Sequence, residues 1–555
     1  EIVGAIDDFA VGSMKMAKVG ERRIAVIRTA DGVHALDNAC PHQGYGLVTG
    51  SLDGELLTCQ WHNWKFRVRD GACLIGEEDV PCHAVALGDN GEIAVTVVEP
   101  SDAQKREQLW PSLIRGFERD YVGQMARDTA RLLEAGADPV EIVWRGLEVS
   151  APKNEYGIGH GMAMAADCLH LLPHWSGTER ALPVVQALAG MAEPTRDRPS
   201  HALPEPDADV DLPTAIERED LDGAMASVLG QLEAGAPAAD LRAQLLEASC
   251  CHHLSYGQGA IYTQKAFELL ELAGWDRAPA LLPWLTKALV YGTREDTLPY
   301  MRKAKRAIDT VDLEALAAAP SHRQTGWTDA EDGLRSAILD APEAAIQQAV
   351  EAVRAGAGID GLLDTVTLAV SERLLRYDPA VDFDNEIDFG WLDITHGLTY
   401  ANAARWAWRH HPSPATARLA LFTVFLAHDT GRAERWRGLT PVTDLPEPTT
   451  GDLAAALAKG DETAAVAITL HGGSEITETL MQASMNDGAT ATIVVAHVVK
   501  LTRAAILEAE ATGSRLPLAA AARFIAAPRL ERFVARNVAE AIDFIRTGAP
   551  PKLSL

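Results

Sequence analysis

Short runs of alternating apolar and polar residues occupy the first hundred positions of the chain. Segments such as RRIAVIRT, GVHALD and EIAVTVV have the period of two that is typical of β-strands. Asp-Gly or Asn-Gly pairs begin at Asp31, Asp53, Asp70 and Asn90, and such pairs favour tight hairpin turns. The pattern therefore predicts a small all-β domain over residues 1–98.

After EPSD at 99–102 the spacing of apolar residues changes to three and four, as in DGLRSAILDAPEAAIQQAVEAVRAGAG, which is typical of amphipathic helices. We predict a multi-domain protein in which residues 99–112 are a linker and residues 113–555 form a large all-α helical domain. Pro-rich stretches at 193–213 and 440–448 predict long surface loops within that domain.

Composition narrows the classes of partner. With 555 residues, of which 47% are hydrophobic, the chain can form more than one core. Its 50 basic and 78 acidic side chains give a net charge of -28, which repels nucleic acid and anionic membranes. Seven cysteines without dense spacing suit a reducing compartment, and no long apolar run predicts a membrane span. We expect a soluble, cytoplasmic protein.

Two Cys-His pairs form the first chemical motif. Cys40-x-His42 and Cys59-x-x-His62 are separated by sixteen residues, and each pair lies between predicted strands. Two thiolates and two imidazoles can hold a Rieske 2Fe-2S cluster, with Cys on one iron and His on the other. The same four side chains can also hold a structural zinc ion, so these residues leave both centres open.

The surrounding residues resemble the Rieske ferredoxin pattern over residues 1–98. They include Pro41 in the first pair, Gly44 and Gly50 in the first loop, Trp61 before the last His, and NWKFRVRDG after it. The resemblance implies that Cys40 and Cys59 bind one iron of a 2Fe-2S cluster while His42 and His62 bind the other. Neither loop has a further Cys to form a disulfide, a feature shared with oxygenase-type Rieske domains.

A Rieske centre passes single electrons, so a large attached domain suggests an electron acceptor, usually a mononuclear iron that activates O2. One candidate is the segment DCLHLLPH, with Asp167, His170 and His174. It resembles the Asp-x-x-His-x4-His motif of Rieske oxygenases but is one residue short between the histidines. That motif also belongs to a β-rich domain, whereas this part of the chain is predicted to be helical.

Three helical segments form a weak internal repeat. The segments GIGHGMAMAADCLHLLPHW, LSYGQGAIYTQKAFELLELAGW and DITHGLTYANAARWAW align with His160, Gln258 and His396 in register, each followed by Gly. The repeat fits either a shared site or helices that need small residues for close packing. The sequence leaves both interpretations open.

Other histidines interrupt apolar helical segments, where an imidazole needs a partner or a metal. In HVVK, His497 and Lys500 share one helix face. A buried Lys that loses its charge can add CO2 and become an anionic carbamate. These HG and HVVK fragments resemble the questin oxidase-like family of helical non-heme iron oxygenases over residues 120–510. The resemblance implies an iron site formed by His160, His253, His396 and His497, with Lys500 as a carbamate ligand and His428 in reserve.

Two alternatives to this mononuclear site follow from the same residues. Asp167-x-x-His170 and Asp393-x-x-His396 resemble the spacing of helix-bundle di-iron sites, although those sites usually have Glu in place of Asp. In the second alternative the helical part is a non-catalytic docking scaffold of an electron-transfer or redox-sensing protein.

We therefore expect an oxidoreductase in which a 2Fe-2S cluster supplies electrons to a mononuclear iron that activates O2. The substrate would be a small apolar or aromatic organic molecule. GAGIDG at 356–361 follows a predicted helix rather than a strand, so it does not indicate a nucleotide site. We expect a separate reductase or ferredoxin as electron donor. A homo-oligomer is compatible with the need to bring the two metal centres close together.

Overall fold

The computed structural model describes residues 1–76, 78–384, 387, 389–438 and 444–529. Parts of the predicted helical domain (residues 530–555) and of the predicted Pro-rich loop at 440–448 lie outside this range. Within it, contacts along the chain define two compact units. One comprises residues 1–116 with 123–137, and the other comprises residues 117–122 with 138 onward.

The first unit begins with two antiparallel sheets. The strands are β1 (Ile2–Ala5), β2 (Ser13–Val19), β3 (Arg22–Arg28), β4 (Val33–Asp37), β5 (Ser51–Asp53), β6 (Leu56–Thr58), β7 (Lys65–Arg67), β8 (Cys73–Ile75), β9 (Cys82–Leu87) and β10 (Glu92–Thr96). The six-stranded sheet has the order β1-β10-β9-β4-β3-β2, and the four-stranded sheet has the order β5-β6-β7-β8. The predicted small β domain is confirmed.

Strand β3 is buried on both faces, which explains its nearly continuous apolar sequence. Ile24 and Val26 pack in a core with Phe9 and Ile93. The alternate residues Ala25 and Ile27 belong to a second core, which also contains both cluster-loop cysteines. Successive strand side chains point to opposite faces, so one strand supports both cores.

Residues 99–112, which we predicted to be a linker, are helical from Asp102 onward. The segment is rich in Gln, Lys, Arg and Glu, which lose little side-chain freedom in a helix. The first unit contains most of this helix and of the next one, so it extends past Val98. The boundary at residue 98 remains a prediction for the extent of the cluster domain itself.

The rest of the described chain is predominantly helical, as predicted. The helices are α1 (Asp102–Glu118), α2 (Val122–Glu134), α3 (Pro139–Ser150), α4 (His160–Leu171), α5 (Ala181–Ala192), α6 (Leu212–Glu217), α7 (Leu221–Glu233), α8 (Ala238–Cys251), α9 (Gln258–Ala273), α10 (Ala278–Val290), α11 (Arg302–Asp309) and α12 (Leu313–Ala317). They continue with α13 (Gly333–Asp340), α14 (Pro342–Ala352), α15 (Gly358–Arg376), α16 (Trp391–His410), α17 (Pro414–Asp429), α18 (Arg432–Arg437), α19 (Leu453–Lys459), α20 (Glu462–His471), α21 (Glu475–Ser484), α22 (Thr492–Thr512) and α23 (Leu516–Ala526).

Four of these helices form the centre of the second unit. Helix α4 packs against α9 and α22, and α16 packs against the same two helices. Helix α4 also approaches α5 closely, and this contact depends on glycine, because a Cβ added to Gly161 of α4 would lie 2.1 Å from the carbonyl oxygen of Gly190 of α5. Among the described residues, no helix is both long and apolar enough to span a membrane.

Candidate functional site

The two Cys-His pairs of the first unit lie on loops with the same backbone geometry. In the first loop, the Cys40 amide donates to the Tyr45 carbonyl at 2.8 Å, and the Gly44 amide donates to the Cys40 carbonyl at 2.7 Å. Gly44 adopts a left-handed conformation with φ 78°, which glycine tolerates without strain.

The second loop repeats this arrangement nineteen residues later in the sequence. The Cys59 amide donates to the Trp64 carbonyl at 2.8 Å, and the Asn63 amide donates to the Cys59 carbonyl at 3.1 Å. Asn63 takes the left-handed position with φ 59°, a conformation that Asn adopts more readily than most residues. Matching loops thus present one Cys and one His each.

The four side chains face one another at the ends of these loops. Cys40 and Cys59 are both buried, at 2% exposure. The Nδ1 atoms of His42 and His62 lie 3.0 Å apart, and the His42 ring stacks on Trp64 with a centroid distance of 4.8 Å. His62 is exposed, so one edge of the site reaches the protein surface.

The electrostatics of this site favour metal-bound thiolate and neutral imidazole. Burial raises the pKa of Cys40 to about 12, so its thiolate requires the positive charge of a bound metal. Burial also lowers the pKa of His42, with smaller contributions from His62 and Arg127. A neutral imidazole keeps a lone pair for iron, so the four residues fit a 2Fe-2S cluster.

A second cluster of histidines lies among helices α4, α9, α16 and α22 of the second unit. His160, His396 and His497 offer nitrogen atoms that all lie within 4.8 Å of one another. The Nε2 atoms of His396 and His497 are 3.0 Å apart. The amide Nε2 of Gln258 lies 2.9 Å from His160 Nε2 and 3.0 Å from His396 Nε2.

The other ring nitrogen of each histidine is held by an oxygen atom. His396 Nδ1 donates to the Tyr256 carbonyl at 3.1 Å, and His497 Nδ1 donates to the Ile493 carbonyl at 2.7 Å. His160 Nδ1 lies 3.0 Å from the Tyr262 hydroxyl. Ligand histidines in metal sites are oriented in the same way by a hydrogen bond at the second nitrogen.

Because of these hydrogen bonds, neither Nε2 of His396 nor Nε2 of His497 carries a proton. A carbonyl only accepts, so each Nδ1 carries the proton and each neutral ring has a bare lone pair at Nε2. Two such lone pairs 3.0 Å apart repel each other unless a cation lies between them. The donor set therefore fits a bound metal ion.

The distance between the Nε2 atoms of His396 and His497 is also that of two neighbouring ligands on one ion. Two nitrogens each about 2.1 Å from an ion are separated by about 3.0 Å at a right angle and by about 3.4 Å at a tetrahedral angle. The 3.0 Å between the Nε2 atoms of His396 and His497 matches the right angle. This spacing is compatible with six-coordinate iron, which has room for further ligands.

Burial keeps the three imidazoles neutral. It lowers the pKa of His396 to about 3 and lowers the pKa values of His160 and His497 well below their usual range, and the nearby Lys500 adds to each shift. Protonation therefore competes little with metal binding at neutral pH.

Lys500 lies one helical turn after His497 on α22 and is 1% exposed. Its Nζ is buried without a hydrogen-bond partner in the described part of the chain. Burial lowers the pKa of this amine to about 7, although Asp167 opposes the shift. A substantial fraction of the amine is thus neutral and nucleophilic at physiological pH.

A strained turn before α9 positions two parts of the helical site. Ser255, Tyr256 and Gly257 all have left-handed backbones, with φ values of 46°, 57° and 94°. The turn directs the Tyr256 carbonyl to His396 and starts α9 at Gln258. Left-handed non-glycine residues cost free energy and cluster at functional sites.

A cavity of about 410 Å³ reaches the site at His160. Its apolar lining includes Leu147, Ile158, Met162, Met191, Ile493 and Ala496. Asn154, Ser150 and Glu193 add polar groups. The volume and the mixture of many apolar and few polar side chains are typical of small-molecule pockets.

Two of the sequence-predicted iron ligands lie outside the three-histidine group. His253 is fully buried, with Nδ1 3.2 Å from the Tyr400 hydroxyl, and its Nε2 has no hydrogen-bond partner among the described residues. His428 directs Nδ1 to the Leu339 carbonyl at 3.2 Å. Neither approaches the other histidines closely enough to belong to the group, so we leave both out of the ligand set proposed below.

Neither the DCLHLLPH segment nor the two Asp-x-x-His pairs form a metal site in the described part of the chain. Asp167 accepts from Lys265 at 2.8 Å and from Arg503 at 3.0 Å, whereas His174 lies beside Glu478. His170 Nδ1 bonds to the Ala166 carbonyl. Asp393 accepts from the Gly390 amide at the start of α16. The carboxylates of the proposed di-iron pairs thus serve as an ion-pair partner and a helix cap.

The ligand prediction did not include Gln258 and Tyr262. Gln258 was singled out by its register with His160 and His396 in the internal repeat, and the structure brings these three residues together. Tyr262 follows Gln258 by one turn of α9 and so faces the same side, but Tyr at that spacing is equally common in ordinary cores.

Comparison with known families identifies the first site. The family model for the Rieske [2Fe-2S] domain matches residues 1–92. The N-terminal part of the chain is therefore a Rieske 2Fe-2S domain, and the zinc alternative is not supported.

The relatives of this domain are ferredoxins and oxygenase-type proteins. The ferredoxin component of the alkene monooxygenase system of Xanthobacter autotrophicus (strain ATCC BAA-1158 / Py2) is 41% identical over 71 residues, which are 12% of this chain and 57% of that protein. Cholesterol 7-desaturase nvd of Hemicentrotus pulcherrimus is 34% identical over 79 residues, which are 14% of this chain and 16% of that protein.

A solved structure, the ferredoxin of carbazole 1,9a-dioxygenase from Nocardioides aromaticivorans IC177, is 27% identical. The match covers 18% of this chain and 97% of that one, with a TM-score of 0.17. The chain spans 57% or less of the length of the two curated relatives described above.

Proposed function

We propose that this chain is a Rieske non-heme iron oxygenase with a helical catalytic domain. Cys40, His42, Cys59 and His62 would hold the 2Fe-2S cluster that provides single electrons. His160, His396 and His497 would hold the mononuclear iron that receives them. Iron bound there supplies the redox chemistry that O2 activation requires. The substrate is a small apolar or aromatic organic molecule.

One observation carries this proposal. The Nε2 atoms of His396 and His497 face each other at 3.0 Å while both Nδ1 protons are held by backbone carbonyls. The arrangement is unfavourable without a cation and favourable with one. In structural histidines of an electron-transfer scaffold, one of the two facing nitrogens would instead carry a proton and donate a hydrogen bond to the other.

The surrounding residues hold the ligands in place. The Tyr256 and Ile493 carbonyls fix the tautomers of His396 and His497, and the Tyr262 hydroxyl orients His160. Burial of His396 and His497 excludes water that would compete for their lone pairs, whereas the half-buried His160 lines the cavity. These contacts leave the ligands preorganised before an ion arrives.

Lys500 supplies a further ligand after reaction with CO2. Its neutral amine attacks the carbon of CO2, an N–C bond forms, and the amine releases one proton to solvent, leaving a carbamate anion. The buried, unpartnered Nζ supports this role because no hydrogen-bond acceptor among the described residues holds the amine in its charged form. A carbamate also contributes a negative charge beside the ion.

The cavity beside His160 binds the organic substrate. Its apolar lining, which includes Met162 and Met191, favours an apolar molecule, and methionine side chains adapt well to aromatic rings. Asn154 and Glu193 can orient a hydroxyl or carbonyl group on such a molecule. This lining therefore favours a hydrophobic substrate that carries one or two polar substituents.

Electrons enter through the Rieske domain from a separate reductase or ferredoxin. His62 is exposed, and the neighbouring Trp61 is 58% exposed and stacks on Tyr45 at 4.2 Å. An exposed ligand with adjacent aromatic rings provides a short route for an electron from a docked donor.

Iron and sulfide analysis of the purified full chain tests the proposal. We expect three irons and two acid-labile sulfides per chain. Nitric oxide added to the protein with its cluster oxidised should give the half-integer-spin EPR signal of a mononuclear ferrous nitrosyl. Two irons per chain after reconstitution with Fe(II), together with no nitrosyl signal, would instead support the electron-transfer scaffold.

A further inference from the structure

We propose that Gln258 is an additional side-chain ligand of the helical metal ion, beside the three histidines and Lys500, and that it binds through its amide oxygen. This inference rests on the proposed metal site and extends its ligand set beyond histidine and lysine. Gln258 is the first residue of α9 and is 5% exposed, so its amide is held within the site and away from solvent.

The position of the amide head group is the first support. One terminal atom of Gln258 lies 2.9 Å from His160 Nε2 and 3.0 Å from His396 Nε2. These distances equal the 3.0 Å that separates His396 Nε2 from His497 Nε2. The Gln258 atom therefore lies as close to His160 and His396 as His396 and His497 lie to each other.

The identity of that terminal atom depends on what occupies the site. Without an ion, an amide nitrogen there can donate to the imidazole lone pairs of His160 and His396. Once the lone pairs bind a metal, no acceptor remains for those N–H groups. A half-turn about the last side-chain bond exchanges nitrogen for oxygen without moving the rest of the side chain.

The amide oxygen is the second support. Oε1 of Gln258 is buried and has no hydrogen-bond partner among the described residues. Leaving a buried acceptor unpaired costs about 1–3 kcal/mol. Coordination of the ion gives Oε1 a partner, and amide carbonyls are suitable ligands for divalent cations that prefer oxygen.

The internal repeat is the third support. His160, Gln258 and His396 occupy equivalent repeat positions, each followed by glycine, and they come from three different helices. The helices bring these positions together although the residues lie about one hundred or more positions apart in sequence. Gln258 thus takes the ligand position of its repeat.

The test compares Gln258→Ala and Gln258→Glu with wild-type full-length protein whose cluster is intact and oxidised. The matched control is Gln264→Ala, because Gln264 is a buried glutamine on the same helix that bonds to Glu268 and Asn402 instead. Fe(II) affinity is measured by equilibrium dialysis. The shape of the ferrous nitrosyl EPR signal reports the ligand set independently of turnover.

We expect Gln258→Ala to weaken Fe(II) binding by about 10- to 100-fold and to change the nitrosyl signal. Gln258→Glu keeps an oxygen donor, so it should bind Fe(II) at least as tightly as wild type. Gln264→Ala should retain both the affinity and the signal of wild type.

Wild-type affinity and an unchanged signal in Gln258→Ala would overturn the inference while leaving the three-histidine site intact. Equal losses in the Ala and Glu variants would also overturn it, because they would show that the amide N–H groups matter rather than an oxygen donor. Failure of wild-type protein itself to bind a third iron would reject the proposed function along with the inference.

Discussion

The Nε2 atoms of His396 and His497 lie 3.0 Å apart, and their rings are nearly parallel, with an interplanar angle of 9°. The carbonyls of Tyr256 and Ile493 hold the protons at the opposite ring nitrogens. The two unprotonated Nε2 atoms repel each other in this buried site, and a bound cation would remove the repulsion. This relationship connects the fold of the helical unit to the chemistry proposed for it.

The first prediction concerns the histidine ligands. His160→Ala and His396→Ala should each lower the iron content by about one atom per chain, because either change removes a buried donor. The Rieske EPR signal of the reduced protein should remain. The double variant should be scarcely less active than either single variant, since residues that act as a unit are not additive.

His410→Ala is the matched control for this prediction, because His410 is an exposed residue of the same helix α16 and bonds to the Trp406 carbonyl. It should keep three irons. Retention of three irons by His160→Ala and His396→Ala would place the third iron elsewhere.

The second prediction concerns the cluster. His62→Cys should preserve the β domain but eliminate the characteristic Rieske EPR signal, because a thiolate replaces one imidazole on the outer iron. His34→Ala provides the comparison, since His34 lies in the same domain and contacts Thr29 rather than the cluster loops. An unaltered signal in the reduced His62→Cys protein would disprove the ligand assignment.

The third prediction concerns Lys500. Wild-type protein freed of CO2 should lose affinity for the third iron and regain it when bicarbonate is added. Lys500→Ala should bind that iron weakly under both conditions, because it has no amine to carboxylate. Lys459→Ala removes an exposed lysine and should behave as wild type. Equal iron binding with and without bicarbonate in wild-type protein would argue against a carbamate.

The fourth prediction concerns the turn before Gln258. A Cβ at Gly257 would lie 2.7 Å from the Tyr400 ring, and the backbone there is left-handed. Gly257→Ala should therefore destabilise the protein and weaken Fe(II) binding by displacing Gln258. Gly235 has a similar φ of 78° but open space around it, so Gly235→Ala isolates the backbone cost of about 1–2 kcal/mol.

The melting temperatures of Gly257→Ala and Gly235→Ala compare the stability of the two variants, and equilibrium dialysis compares their affinity for Fe(II). A melting temperature for Gly257→Ala no lower than that of Gly235→Ala, with unchanged iron affinity, would contradict the role assigned to the Tyr400 contact.

The fifth prediction concerns pH and Asp128 of helix α2. This carboxyl group is fully buried, and burial raises its pKa from 3.8 to about 6. The native state therefore holds the proton more tightly than the unfolded state. The contribution of the Asp128 carboxyl group to the free energy of unfolding is therefore complete below about pH 4. It disappears as the pH rises through 6, which lowers the free energy of unfolding by about 3 kcal/mol.

Asp128→Asn removes this titration and should raise the melting temperature at pH 8 more than at pH 5. Asp102→Asn, at an exposed position of α1, should leave the pH dependence of melting unchanged. A parallel shift of the Asp128→Asn protein at both pH values would show that the carboxyl group titrates normally.

The sequence alone determined the Rieske domain. The spacing of Cys40, His42, Cys59 and His62 is local, and glycine or asparagine at the left-handed loop positions makes each loop nearly independent of the rest of the chain. The period of two in its strands and the period near 3.6 beyond them also predicted the division into a β part and a helical part. Neighbouring residues encode such features, so they can be read without the fold.

The tertiary structure alone decided which residues of the helical part share a site. His160, Gln258, His396 and His497 come from four helices, and the members of each neighbouring pair are 98 to 138 positions apart in sequence. A buried histidine such as His253 or His428 has the same local sequence character as His497, because packing rather than pattern determines what an imidazole faces. Only the arrangement of the helices distinguishes the ligand candidates from the other buried histidines, and it places Gln258 beside His160 and His396.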